Sequence, residues 1–332
     1  METRFLLTDV TAVEAEDADV EPSGRRRLGW YRIAQHVART ALTLAILGAV
    51  TYAVVKQWPD VKHTLSSLAW QSVALSTVMI LVGLGAQTLA FRAALSDVEH
   101  RVAVRTASQI YLIGLLAKYL PGSLWSYPLQ MELGRRAGVP RSRAFLASVV
   151  TLGLSTTAAL ALGVFGLPAL RQVDPVTRVL VLCLVPAAFA CAHPRVLTWL
   201  VQRFLKVVRR PPLDAPITWR GVGTVIGWCT MSWLAFGVHL WLLANAQASP
   251  GLGGLIRCVG AMALAVTAGI FAFVSPSGLG VREAVLAAAL LPYVPAGVAL
   301  GIALASRMIF TVGDLAAAGI AALGTLRLLR AG

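Results

Sequence analysis

Residues 275–283 read SPSGLGVRE. This string interrupts an apolar region running from 258 to 291, so proline, glycine, a cation and an anion fall together where a continuous helix is otherwise expected. Irregular backbone is not tolerated against lipid tails, so such a break must be buried in protein or line a cavity. Charged residues at that depth are rare and functional by default. A second break, KYLPGSLWS at 118–126, lies in the first half of the chain. Paired interruptions in corresponding halves point to a site between inverted repeats.

The composition agrees. Hydrophobic residues make up 57% of the 332 residues and charged residues 13%, which leaves too little polar surface for a water-soluble domain of this size. The net charge of +14 does not indicate nucleic acid, because the basic residues lie between apolar segments instead of forming one patch. That distribution is the positive-inside bias of membrane proteins. Seven of the fifteen acidic residues (Glu2, Asp9, Glu14, Glu16, Asp17, Asp19, Glu21) crowd the first 24 positions. Residues 1–30 therefore read as a disordered acidic cytoplasmic tail. The tail lacks a basic-then-apolar leader, so no cleavage is expected.

The expected fold is an all-α polytopic membrane protein, with about six spanning helices and two re-entrant helix pairs in inverted repeats. Spans are expected near 33–55, 68–95, 143–167, 177–192, 220–245 and 297–326. The re-entrant pairs are 110–117 with 123–133, and 258–274 with 279–291; whether 253–274 spans or re-enters stays open. The membrane domain runs over 31–332, with repeats at approximately 33–167 and 177–326. Residues 195–210 (RVLTWLVQRFLKVVRR) alternate apolar and basic residues at helical spacing, as an interfacial helix does. With both termini cytoplasmic, twenty Lys and Arg fall inside, against five outside (Lys56, Lys62, Arg171, Arg178, Arg257).

Six charged residues are placed within the hydrocarbon zone: Lys118, Glu132, Arg282, Glu283, Arg307 and Asp314. Three of each sign make a set that can be neutral. Arg307 and Asp314 stand seven apart, too far for direct pairing on one helix, and should look to other helices for partners. The two breaks also place helix N-termini near mid-membrane, where free N–H groups favour anions. The candidate binding set is therefore Lys118, Pro121, Gly122, Ser123, Trp125, Ser126, Gln130, Glu132, Ser275, Pro276, Ser277, Gly278, Gly280, Arg282, Glu283, Arg307 and Asp314. A phosphate-bearing headgroup is the ligand that suits it, with Trp125, Tyr127 and Gln130 for stacking and hydrogen bonds. A structural alternative stands beside each: an Arg282–Glu283 pair joining half-helices, Lys118 snorkelling, Glu132 facing the headgroups, His239 a bonded interior histidine. Glycines such as Gly83, Gly85, Gly319 and Gly324 suit close helix packing. Cys183, Cys191, Cys229 and Cys258 lie in apolar stretches without a CxxC spacing, so no metal or redox role is expected. No cofactor is expected either.

PSGLGVREA at 276–284, followed by an apolar helix containing Ser306-Arg307, resembles the lysylphosphatidylglycerol synthase transmembrane family. This is the flippase-like region of aminoacyl-phosphatidylglycerol synthase/flippases. YLPGSLW at 119–125, with Glu132 and Arg135 beyond it, is similar to that family's other proline-glycine segment, and the likeness covers roughly 33–327. The resemblance implies a lipid translocase of the bacterial inner membrane. Its partners would be membrane lipids, with room for a separately encoded lipid or glycan synthase and for a homo-oligomer. Members carry a Gly-Glu pair shortly after the first Pro-Gly. Trp125-Ser126 stand there in this chain, so the headgroup's identity does not carry over. The chain to Gly332 holds no soluble aminoacyl-transferase half, so a translocase without a lipid-modifying enzyme is expected. Two other readings remain open: a membrane-embedded enzyme on a lipid-linked substrate, and a non-catalytic partner of a synthase.

Overall fold

The computed structural model describes residues 58–98, 101–119, 125–164, 184–213, 215–271, 278 and 280–329, which belong to one compact unit. The expected first span at 33–55, the acidic tail and the 177–183 part of the expected span at 177–192 lie outside the described residues, as do Cys183, Pro121, Gly122, Ser123, Ser275, Pro276 and Ser277.

Every regular element among the described residues is helical. In chain order they are α1 (Trp58–Ser67), α2 (Trp70–Asp97), α3 (Val104–Ser108), α4 (Ser126–Arg136), α5 (Arg141–Gly163), α6 (Leu184–Cys191), α7 (Pro194–Val207), α8 (Trp219–Asn245), α9 (Gly251–Phe271), α10 (Val281–Leu290) and α11 (Ala296–Leu329). Five of them (α2, α5, α8, α9 and α11) are long and apolar enough to cross a membrane, or six spans if the α6–α7 pair, bent by 70°, is one. The protein is a multi-pass membrane protein.

Boundary chemistry explains the ends. Pro140 stops the preceding turn and α5 starts behind it. Thr218 caps α8 by accepting from Gly221 N at 3.0 Å, and His193 caps α7 with Pro194 in the first turn. The arm expected from 258 begins instead at Gly251, and its 21 residues suffice to cross. Arg257, which made the segment look shorter, lies over the Tyr293 ring at 5.6 Å.

The core is built on α8 lying along α2, with α5 and α9 on its other sides and α11 closing the bundle against α1, α2 and α10. Close approach needs small residues. A Cβ at Gly237 would stand 2.5 Å from the Val259 backbone, and one at Gly83 would strike the Phe236 ring. Gly85 and Gly319, by contrast, face open space. Helix α7 turns Leu197, Val201 and Leu205 inward and keeps Arg203 outside, as its alternating pattern requires.

Candidate functional site

Three short elements bring charge to one place. The chain from Val104 does not continue as a plain α-helix. It loosens into a π-turn at Gln109–Ile113 and tightens into a 3₁₀ turn at Leu116–Tyr119. Such irregular turns re-aim side chains, and here Lys118 and Tyr119 reach Asp314 on α11. Lys118 Nζ lies 2.6 Å from Asp314 Oδ2, and the Tyr119 hydroxyl donates to the same oxygen at 2.6 Å. The Asp314 side chain is 1% exposed, and its other oxygen, Oδ1, has no partner among the described residues.

The second break is built on glycine. Gly278 and Gly280 have φ of +67° and +88°, conformations that side chains rarely adopt. A Cβ on Gly278 would also stand 2.4 Å from Gly269 Cα of α9. This turn starts α10, where Glu283 Oε2 accepts from Gly280 N at 2.7 Å and Oε1 binds Arg307 Nη1. The partner of Glu283 is therefore Arg307 on α11, and not the adjacent Arg282.

Arg282 is placed differently. Its guanidinium lies over the Phe310 ring, 4.2 Å from the centroid, and Nη2 approaches Met262 Sδ at 3.7 Å. Its Nε is sealed from solvent without a hydrogen bond. Among the described residues no carboxylate lies within ion-pair distance of it. Phe310 is itself fixed by the edge of His239, at 5.1 Å and 89°. His239 Nδ1 faces the Ser76 carbonyl at 3.2 Å and Nε2 faces Ser306 Oγ at 2.9 Å. A carbonyl only accepts, so Nδ1 carries the proton and Ser306 donates to Nε2. His239 is thus the bonded interior histidine of the structural alternative.

Beside these groups lies a cavity of about 680 Å³ lined by residues from both halves of the chain, a volume typical of small-ligand sites. Lys118, Arg282 and Asp314 reach it, together with Ser126, Tyr127 and Gln130 of α4. Its polar residues that were not singled out in the sequence include Gln87, Tyr111 and a stripe of Ser148, Thr151 and Ser155, spaced i, i+3, i+7 on α5. That polar stripe inside an apolar span was the available signal. Ser148 Oγ donates to Gln130 Oε1 at 2.5 Å, Gln87 Nε2 to Ser155 Oγ at 3.1 Å, and Trp233 Nε1 to Ser155 O at 3.0 Å. The remaining walls are apolar, Phe236 and Phe310 among them.

Six of the expected residues that are described do not line the cavity: Gly278, Gly280, Glu283 and Arg307 form the glycine turn and the ion pair to α11, and Trp125 and Glu132 stand apart. Trp125 is 54% exposed and lies off the cavity. Glu132 sits in the last turns of α4 and binds Arg135 at 2.7 Å, Arg136 at 3.3 Å and Arg141 at 2.8 Å. Hydrogen bonds from Arg135, Arg141 and Arg136 hold its carboxyl well below the usual carboxylate range. Its removal from the buried set changes the charge count. Lys118, Arg282 and Arg307 now face only Glu283 and Asp314, which leaves one net positive charge instead of none. The surplus falls on Arg282, at the cavity wall.

The family model describing the lysylphosphatidylglycerol synthase TM region matches residues 37–318. No curated protein matches the chain.

Proposed function

Because this chain belongs to the lysylphosphatidylglycerol synthase TM-region family, a family of lipid-related membrane proteins, we propose that it is a flippase. It moves a phosphate-bearing phospholipid or polyprenyl-phosphate-linked lipid between leaflets of the bacterial inner membrane. The observation that carries this reading is Arg282, a cation on the cavity wall with no ion-pair partner among the described residues. A buried cation without a carboxylate is costly, and a phosphate or other anion offsets that cost. Bidentate guanidinium–phosphate geometry adds directional hydrogen bonds to the charge attraction.

In this scheme the headgroup phosphate sits against Arg282. Lys118 exchanges part of its contact with Asp314 for a phosphate oxygen, while Tyr119 keeps Asp314 bonded. Glu283 and Arg307 tie α10 to α11, so the Gly278–Gly280 turn and α11 move together. Rocking of the two repeats about the cavity alternates its exposure. The run of Arg135, Arg136, Arg141 and Arg143 supports a cytoplasmic assignment of the turn between α4 and α5.

The test is lipid exchange in reconstituted vesicles, with fluorescent phosphatidylglycerol and a membrane-impermeant quencher. Wild type should speed loss of inner-leaflet signal, and Arg282→Gln should return it to the protein-free rate. Wild type at the protein-free rate would overturn the reading in favour of a non-transporting partner of a synthase.

A further inference from the structure

A second void of about 380 Å³ lies between α5 and the α6–α7 pair. It differs in chemistry from the headgroup cavity. Among its described lining residues there is no charged side chain and no buried side-chain polar atom without a partner, whereas Lys118, Arg282 and Asp314 line the headgroup cavity. The Thr157 hydroxyl, which lines the groove, bonds to Gly153 O at 3.0 Å and Ala188 O at 3.3 Å. The walls are otherwise mainly Leu, Val, Ala and Phe.

The two voids share a boundary. Phe145, Val149 and Leu152 line both, and their i, i+4, i+7 spacing makes them one stripe along α5. Phe145 is the aromatic hinge of that boundary. Tyr127 of the headgroup cavity meets its ring edge-on at 6.3 Å, and Phe204 of the groove stacks on it at 5.1 Å. A molecule passing along this stripe leaves a wall holding charge and enters one holding none.

From this continuity and contrast we propose that the α5–α7 groove holds an acyl chain of the same lipid whose phosphate rests at Arg282. The proposal rests on the lipid reading above. The bound lipid lies bent across Phe145, with its headgroup on one side and its chain on the other. Recognition therefore has two parts, anionic charge at Arg282 and chain length at the groove.

Gly153 supplies the test. It lines the groove, and a Cβ built there meets no heavy atom within 4 Å. Gly153→Leu should narrow the groove, because its Cβ enters open space, and leucine favours helix over glycine. Gly153→Ala, which adds a single carbon, controls for folding. Native mass spectrometry on the purified full chain would compare dioleoyl with dihexanoyl phosphatidylglycerol. Wild type and Gly153→Ala should hold the dioleoyl lipid more tightly. Gly153→Leu should weaken the dioleoyl lipid at least about tenfold, the equivalent of roughly two buried methylenes, and leave the dihexanoyl lipid unchanged. Equal dioleoyl binding by Gly153→Leu and wild type would overturn the groove assignment, as would a wild type indifferent to chain length. The headgroup reading is judged separately: Arg282→Gln should weaken both lipids, and binding of both undiminished in that variant would sink it.

Discussion

Glu283→Gln isolates the charge that ties α10 to α11. The amide has the carboxylate's shape, and its oxygen can still accept from Gly280 N, so the helix cap, worth about 1 kcal/mol, is retained. The change removes the negative charge opposite Arg307. Breaking a buried ion pair by neutralising one partner costs about 3–5 kcal/mol, because the other charge is left uncompensated. Glu283's side chain is 4% exposed and Arg307's is 21%, so Arg307 has some room to relax toward water. That places the cost near the lower end, at about 3 kcal/mol. Unfolding by SDS titration, followed by circular dichroism, should register this loss. Arg307→Gln should cost a similar amount. The Glu283→Gln/Arg307→Gln double variant should be about 1–3 kcal/mol more stable than the sum of the single losses predicts. A Glu283→Gln protein as stable as wild type, or strict additivity in the cycle, would refute the pairing and with it the coupled movement of α10 and α11.

Gly278→Ala must place a Cβ against the Gly269 backbone at a φ of +67°, so we expect a loss of about 2–4 kcal/mol, measured by thermal unfolding in detergent. His239→Phe keeps the ring near Phe310 but strips the Ser306 hydroxyl of its acceptor, and about 2 kcal/mol should be lost in the same assay. Glu132 is held ionised by three arginines, so its folded-state pKa lies below its unfolded value of about 4.3. The stability it contributes is present above that unfolded value and is lost as pH falls through the folded one. The difference in melting temperature between wild type and Glu132→Gln should therefore be flat from neutral pH down to about 5 and shrink below about 4.

Hydropathy made the long elements legible. Expected spans at 68–95, 143–167, 220–245 and 297–326 correspond to helices at 70–97, 141–163, 219–245 and 296–329, because predominantly apolar runs of that length suit a bilayer-spanning helix. Helix α9 was read seven residues short. Its N-terminal Gly251, Gly253, Gly254 and Arg257 weaken the apolar signal, and their compensation, the Tyr293 ring, comes from a distant part of the chain. The site divides in the same way. That Arg307 and Asp314 must seek partners on other elements followed from their seven-residue spacing. That the partners are Glu283 for one, and Lys118 with Tyr119 for the other, depends on tertiary packing that no local pattern encodes. Glu132 looked buried because 123–133 reads as one arm of a re-entrant pair. The arginines that bring it to the surface, Arg135 and Arg136, were visible, but Arg141 joins them only once the turn at Gly138 folds back, with φ of +82°. Ser148, Thr151 and Ser155 were passed over because hydroxyls bonding their own helix are common in spans. Only the packing of α4 and α8 against that face makes it a cavity wall.

The central claim, that a lipid phosphate rests at Arg282, is tested most directly by mass spectrometry of the lipids that co-purify with wild type and with Arg282→Gln. Enrichment of one phosphate-bearing lipid class over the bulk membrane in wild type, lost in the variant, is the predicted result. The same bulk membrane lipid profile in both proteins would contradict it.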